Sequence, residues 1–459
     1  MKLENPTQHE TWSSRTAFLL AAIGAAVGLG NIWRFPYMTG ENGGSAFVLV
    51  YIVCIIAVGI PILIAEMLMG RRGQMSPIGT MTVLAKEAGA SPHWRKAGWL
   101  AVTTIFLAGT FYYVVASWVL AYVVLAMQNA FAGIDAAGAS GLFADLLADP
   151  WRLSIWFGIF MAMTIFVVAS GIRNGLERAV KFLMPALFVL LVLMVGYAAY
   201  AGDFGRGWRF LFQFDPSKIT GQVVLAAIGQ AFFTLGIGQA VMMTYSAYMP
   251  KYVKLPMAAA VIAGADLVVA LLAGLMIFPI VFAAGLELNA GPGLIFETLP
   301  IAFGQMPGGR LFGTLFFLLI GIAALTSTIS GVEPIVSWAE EHRGWKRKRV
   351  SVLVGLAIWL VGLASVFSFN IWAGFKPLDM LPAFQGKTFF DIIEYLVVNI
   401  MMPLNGILIA FFVGWIMTRA SVLDELGFRD GRKFAALSFL LRFIAPAAIV
   451  AIFLFNLMS

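Results

Sequence analysis

Charge is scarce in this chain. Only 12% of its 459 residues are Asp, Glu, Lys or Arg, 61% are hydrophobic, and the mean hydropathy is +0.91. That balance excludes a water-soluble domain and points to a polytopic membrane protein. Cysteine is nearly absent. The one residue, Cys54, lies in an apolar run, which rules out an intramolecular disulfide and suggests a buried, inert thiol. There are three histidines, His9, His93 and His342, all near expected helix ends, and neither an H-E-x-x-H nor a G-x-S-x-G pattern occurs. A membrane enzyme therefore finds little support. No repeated filter or ring of charges suggests a channel, and no Pro/Ser-rich linker divides the chain. Residues 1–14 are polar, and the first apolar stretch is too long and interrupted for a cleavable signal, so none is expected.

Long apolar runs are what the sequence has instead. They predict eleven membrane helices at about 15–38, 44–70, 95–128, 152–171, 177–200, 221–249, 255–284, 309–340, 350–369, 388–418 and 433–457. The net charge of +7 is concentrated in alternate loops, such as Arg71-Arg72, Arg173 with Arg178, and Arg343 with Lys346 to Arg349. Loops 129–151 and 285–308 have neither Lys nor Arg. The positive-inside rule then places the N-terminus in the cytoplasm and, with eleven spans, the C-terminus outside a cell membrane, most simply a bacterial inner one. Those basic loops are an orientation signal, so nucleic acid is not an expected partner.

Two of the spans are interrupted. Gly28-Leu29-Gly30-Asn31 breaks the first and is followed by Arg34 and Pro36; Gly229 to Gln239, with Gly236 and Gly238, breaks the sixth. In hydrocarbon every backbone N–H and C=O must be paired or face a protein-lined cavity, so a mid-depth break implies something polar to surround. Freed carbonyls can hold a cation, and the N-terminus of a following half-helix can hold an anion. Close helix packing also favours glycine, but Arg34 inside a span is too costly for packing alone. Breaks at matching places in two halves predict an all-α membrane protein with a 5+5 inverted repeat. The pseudo-repeats cover about 15–200 and 221–418, and helix 11 at 433–457 is appended to a single transporter domain.

Several strings resemble the neurotransmitter:sodium symporters over essentially the whole length. They are Gly28-Leu29-Gly30-Asn31-Ile32-Trp33-Arg34-Phe35-Pro36, Glu41-Asn42-Gly43-Gly44, Gly59-Ile60-Pro61, Glu66 with Met69-Gly70-Arg71, Phe232-Phe233-Thr234-Leu235, and Leu325-Thr326-Ser327. Eleven spans look like the bacterial amino-acid-transporting branch of that family. The resemblance implies two sodium sites. One would use the carbonyls of Gly24, Val27 and Ala323 with the hydroxyls of Thr326 and Ser327. The other would use the Ala26 carbonyl, Asn31, Thr234 and Asp266. Asp266 stands where the family usually has asparagine, and Ala270, four residues on, stands where chloride-dependent relatives have serine. An aspartate would supply the negative charge itself, so chloride-independent transport is expected.

By the same resemblance the substrate pocket would be lined by Ala26, Gly28, Gly30, Ala108, Tyr112, Phe233, Thr234, Gly236, Gln239, Ser327 and Gly331. Monoamine-transporting relatives have aspartate at the position of Gly28. Glycine there suggests that the substrate brings its own carboxylate, which could meet the Gly30 N–H and the Tyr112 hydroxyl. Ala108, Gly236 and Gly331 are smaller than in leucine-preferring relatives, which suggests room for a bulky hydrophobic or aromatic L-amino acid. Gln239 departs from the usual apolar residue; it could bond an indole or phenol, or face another helix. Arg34 and Glu394 would form the outer gate. Trp12, Tyr248 and Glu341 would form the inner gate, with His9 in place of the usual arginine. Glu66 is expected to be structural. The expectation is therefore a sodium-coupled symporter working by alternating access. A membrane sensor binding the same ligand with little turnover is the alternative, and the oligomeric state is open.

Overall fold

In the computed structural model, which describes residues 10–288 and 293–458, the chain is a helical bundle, with no strand among the described residues. Ser14 caps the first helix, accepting the Ala17 N–H at 3.1 Å. That helix, α1 (Arg15–Ala26), stops at the predicted break, and α2 (Gly30–Glu41) continues at 50° to it. Then follow α3 (Ser45–Gly73), a short α4 (Pro77–Glu87), α5 (Pro92–Met127), a short α6 (Ala136–Ala148), α7 (Pro150–Ala169) and α8 (Ile172–Ala201). A nine-residue α9 (Phe204–Phe212) leads into α10 (Gly221–Thr234) and α11 (Val241–Ala247). The remainder is α12 (Leu255–Ala283), α13 (Leu299–Gln305), α14 (Gly309–Arg343), α15 (Arg347–Phe367), α16 (Phe389–Ile416), α17 (Arg419–Leu426) and α18 (Arg432–Phe455).

Among the described residues nine single helices are long and apolar enough to cross a bilayer, and the bent pair α1–α2 makes ten. The expected sixth span is the remaining case. At 1.5 Å per residue α10 covers about 21 Å of a ~30 Å hydrocarbon core, so it would need the non-helical stretch 235–240 and α11 to reach the other side. The chain leaves helical geometry there through three left-handed residues, Gly236 (φ 61°), Gly238 (φ 81°) and Ala240 (φ 60°). Ala240 has a Cβ, and holding it left-handed costs about 1–2 kcal/mol. The segment is therefore held by its surroundings.

Five wide helical turns precede prolines. Wide turns at Gly30–Arg34, Ile55–Gly59, Leu294–Thr298, Leu396–Met401 and Leu440–Ile444 each end two residues before a proline: Pro36, Pro61, Pro300, Pro403 and Pro446. Proline offers no N–H to the preceding turn and its ring crowds it, and opening that turn by one residue relieves both.

The helices α5 and α14 form the most extensive pairing of the bundle, and α1, α8 and α12 also pack against it or each other. The end of α3 is pinned on two sides. Arg71, which is buried, donates to the Glu425 side chain and to the backbone carbonyls of Val253 and Glu425. Gly70 lies directly against α11, where a Cβ would come within 1.9 Å of the Met243 carbonyl oxygen. Such a contact cannot be relieved by turning a side chain. Gly70→Ala should therefore lower stability by at least about 1–3 kcal/mol, visible as a fall in the melting temperature of the detergent-purified protein. An unchanged melting temperature would show that α11 is free to move away from α3.

Candidate functional site

The two breaks lie side by side, and the groups freed by each are met by the other's neighbours. The Asn31 amide donates to the Asp266 carboxylate at 2.7 Å and to the Asp266 carbonyl at 3.1 Å, while its Oδ1 accepts the Gly28 N–H at 3.0 Å. The Thr234 hydroxyl is 3.1 Å from both Asp266 oxygens, and the Tyr51 hydroxyl donates to Oδ2 at 3.4 Å. Asp266 is 0% exposed, and no lysine or arginine pairs with it among the described residues. A carboxylate kept dry without a basic partner is too expensive to be incidental. Here it converges with an amide oxygen and a hydroxyl, the oxygen chemistry a hard monovalent cation takes. Ala270 is fully buried and apolar, one turn further along α12.

A second cluster of oxygens lies between α1 and α14. Ser327 donates to the carbonyls of Val27 and Ala323 at 3.2 Å, and Thr326 donates to Ala323 at 3.0 Å. Gly24 packs on this cluster, since a Cβ there would be 3.3 Å from Thr326 Cβ. The hydroxyls thus make the ordinary back-bonds of serine and threonine in membrane helices, yet four of the five expected cation ligands share this one place.

A cavity lies between these clusters. Its lining includes Ala26, Gly28, Gly30, Ala108, Tyr112, Phe233, Thr234, Gly236, Gln239, Ser327 and Gly331, every residue expected of the pocket, together with Tyr113, Met242, Val397 and Met402. The small residues do not all open space. A Cβ on Gly28 would be 2.6 Å from the Ser327 hydroxyl and 3.0 Å from that of Tyr112, so the room expected there is already filled. A Cβ on Gly331 would be 2.8 Å from the Tyr113 hydroxyl, and that hydroxyl is anchored on the Thr328 carbonyl. Gly236 does open space, with only the Gln239 Oε1 near, at 3.9 Å. Gln239 bonds the Met402 sulfur through Nε2 at 3.3 Å, which leaves that carbonyl oxygen on the Gly236 side of the cavity. The Tyr112 hydroxyl accepts the Leu29 N–H at 3.3 Å.

Arg34 lies over the Phe233 ring at 4.3 Å. Glu394 is in the electrostatic field of Arg34 but makes no ion pair with it within 4 Å. The opposite end is packed shut. Trp12 is buried, with its Nε1 on the Tyr245 carbonyl at 2.9 Å and its ring edge-on to Tyr245 and Tyr248. His9 lies outside the described residues. Glu341 accepts the Ser76 N–H at 2.6 Å. The buried ion pair at this end was not foreseen: Glu333, 0% exposed, pairs with Arg347 and accepts from Tyr248 at 3.1 Å, while Arg347 also reaches Glu340 at 3.0 Å. A buried glutamate one helical turn beyond Ser330 was the available signal, but its partner is on the next helix.

Breaking this pair from one side should cost about 3–5 kcal/mol, because the other charge stays buried. In thermal unfolding, Arg347→Met should be strongly destabilised, and adding Glu333→Gln should recover much of the loss. Strictly additive losses would show that the two charges do not depend on each other.

The chain matches the sodium:neurotransmitter symporter family over residues 9–136 and 145–459. It is 40% identical over 457 residues to the uncharacterised sodium-dependent transporter YhdH of Bacillus subtilis, covering 99% of this chain and 98% of that protein. It is 34% identical to an uncharacterised sodium-dependent transporter of Haemophilus influenzae, covering 99% of each. Among solved structures, MhsT in complex with L-phenylalanine is 41% identical, with a TM-score of 0.87 over 97% of this chain and 99% of that one. The fold, the apolar spans and the family strings around both helix breaks agree with these matches: the chain belongs to the sodium:neurotransmitter symporter family.

Proposed function

We propose that this transporter imports a neutral, bulky hydrophobic or aromatic L-amino acid together with sodium, independently of chloride, by alternating access between eleven spans arranged as a 5+5 inverted repeat. The single observation that carries the reading is the buried Asp266 carboxylate against Asn31 and Thr234, at the junction of both helix breaks. One cation would sit there and a second among Gly24, Val27, Ala323, Thr326 and Ser327. The substrate carboxylate would meet the Gly30 N–H and Tyr112, and its side chain would extend toward Gly236 and Gln239. A relative solved with L-phenylalanine supports this size class. Arg34 and Glu394 would close the outer side, and Trp12, Tyr248 and Glu341 the inner side. The N-terminus would be cytoplasmic and the C-terminus outside.

Asp266 connects ion choice to charge. Coupling is reciprocal, so a bound cation that raises substrate affinity must itself be bound more tightly when substrate is present. In proteoliposomes under an inward sodium gradient, uptake of labelled Phe, Trp or Leu should need sodium and be indifferent to chloride. Asp266→Asn should reduce uptake by roughly tenfold or more, equivalent to ~1.4 kcal/mol of lost ion binding. Adding Ala270→Ser to Asp266→Asn should restore uptake only when chloride is present. Chloride-dependent uptake by the unaltered protein would overturn the role given to Asp266.

Gln239 sets a second test. Its carbonyl oxygen is an acceptor for an indole N–H or a phenol O–H, and a neutral hydrogen bond contributes about 1 kcal/mol. Gln239→Leu should therefore shift competition for uptake by about fivefold toward Phe and Leu over Trp and Tyr. If the ranking of the four is unchanged, Gln239 does not face the substrate.

A further inference from the structure

The segment between α8 and α10 carries more Lys and Arg than any other outer loop of the proposed topology. It lies at the end of the bundle opposite Trp12, on the face the proposed orientation makes extracellular. Two arginines and a lysine occur there, Arg206, Arg209 and Lys218, although loops 129–151 and 285–308 carry no Lys or Arg. Asp203 starts α9 by accepting the Arg206 N–H at 3.0 Å. One side of the helix is fixed to the end of α12: the Asp203 N–H donates to the Pro279 carbonyl at 2.9 Å, and a Cβ on Gly207 would be 2.6 Å from the Pro279 ring. Phe210 packs edge-on to Phe278 and Phe282, with ring centres 4.8 and 5.5 Å away.

The other side presents Phe204, Trp208 and Phe212, four residues apart and so in one stripe. Trp208 packs against both neighbours, yet it is 51% exposed and Phe212 is 39% exposed. An aromatic stripe on a helix lying at the end of the spans is the pattern of an interfacial helix, with its rings at headgroup level.

The cations lie beside this stripe. Arg206, Arg209 and Lys218 line an open cleft of about 450 Å³ with Gly43, Ser45, Phe210, Gln213, Phe214, Asp215 and Pro216. Asp215 is the only carboxylate in the lining. It already accepts the Ser217 N–H and hydroxyl at 3.1 and 2.6 Å and is 4.0 Å from Lys218. Among the described residues Arg206 and Arg209 make no ion pair; Arg206 instead stacks on Phe282 at 4.4 Å. Three cations against one occupied carboxylate make the cleft a receptor for an anion.

We propose that the α9 cleft binds the phosphodiester headgroup of an anionic glycerophospholipid in the outer leaflet. Trp208, Phe212 and Phe214 lie among the glycerol and upper acyl groups, while Arg206, Arg209 and Lys218 face the phosphate. Arginine suits the phosphate because its planar fork can donate two parallel hydrogen bonds. A free anion would need no aromatic stripe beside the cleft, whereas a lipid uses both. The bound lipid would hold α9 against the end of α12, the helix that also carries Asp266. The sidedness, though not the chemistry, rests on the proposed orientation.

The test uses the full chain, purified in neutral detergent and titrated with a short-chain phosphatidylglycerol, with phosphatidylcholine and inorganic phosphate as controls. Phosphatidylglycerol should raise the melting temperature and remain as one adduct per chain in native mass spectra. The variant with Arg206→Gln, Arg209→Gln and Lys218→Gln should bind it on the order of a hundredfold more weakly. Trp208→Ala, which keeps the cations, should weaken the lipid but not any binding of phosphate. Equal binding by the triple variant, or no preference over phosphatidylcholine, would overturn the site. Equal protection by inorganic phosphate would replace the lipid with a free anion. Orientation is read separately by labelling Ser217→Cys in intact cells with a membrane-impermeant maleimide; labelling only after lysis would overturn the outer-leaflet assignment. Sodium-driven uptake by the triple variant in phosphatidylcholine vesicles should persist, which separates this site from transport itself.

Discussion

Everything at the centre of this bundle depends on satisfying backbone that has left the helix where water is scarce. An unpaired peptide group in hydrocarbon costs several kcal/mol, and the two breaks free many of them. Most of the side chains that meet them come from distant elements. Gln230 on α10 donates to the Gly30 carbonyl at 2.9 Å, and Asn405 on α16 donates to the Gly238 carbonyl at 2.9 Å while also holding Thr104 of α5. Asn31 takes the Gly28 N–H, Tyr112 takes that of Leu29, and Ser327 donates to Val27. The Glu66 carboxylate, fully buried on α3, lies beside the Gly238–Met243 segment but makes no hydrogen bond of ordinary geometry with it. Each break is therefore held from outside its own helix, and any ligand entering there competes with or completes these bonds.

That dependence explains why breaks and charge occur together. Asp266 reaches three side-chain donors, on α2, α3 and α10, and none of them is cationic. Neutral donors partly compensate a buried carboxylate and leave its negative potential in place. A site so arranged would attract a cation and hold it beside the Gly28–Asn31 backbone, where the proposed substrate carboxylate would lie. Binding of ion and substrate would then be coupled by direct charge contact, with no need for a relay through the fold.

The parts legible in the sequence were those encoded by residue type at fixed spacing. The two breaks belong to that class, whereas the eleven residues of the pocket and the meeting of Asn31, Thr234 and Asp266 were implied by the family resemblance. What was not legible depends on neighbours remote in sequence. The sizes of Gly28 and Gly331 suggested empty room, but the hydroxyls of Ser327, Tyr112 and Tyr113 occupy it. The ion pair of Glu333 and Arg347 joins two helices across a turn, and neither residue carries a local pattern that reveals its partner. The short helices α4, α6, α9 and α17 lie outside the long apolar runs that set the expected spans.

The two ends of the cavity differ in kind, and this bears on how access could alternate. Toward Arg34 the barrier is one ring and one guanidinium: Arg34 over Phe233, with Glu394 near but unbonded. Toward Trp12 it is a layered plug of buried indole, two tyrosines and the Glu333–Arg347 pair, fastened to α8 by Glu10 on the Ile172 N–H at 2.8 Å and by Ser13 on Glu177. Opening the first asks only that a long side chain turn on a ring. Opening the second must break a buried ion pair, release Trp12 from Tyr245 and detach the residues before α1 from α8 together. Trp12 and the Glu333–Arg347 pair are linked through Tyr248, whose carbonyl accepts the Trp12 N–H at 3.1 Å and whose hydroxyl donates to Glu333. A barrier that is cheap on one side and cooperative on the other would favour the outward-accessible arrangement in the proposed cycle. The proposed inward step would then draw on the binding energy of both ligands at the breaks, because α1, whose N-terminal lead-in carries Trp12, also ends at the carbonyls expected to hold sodium.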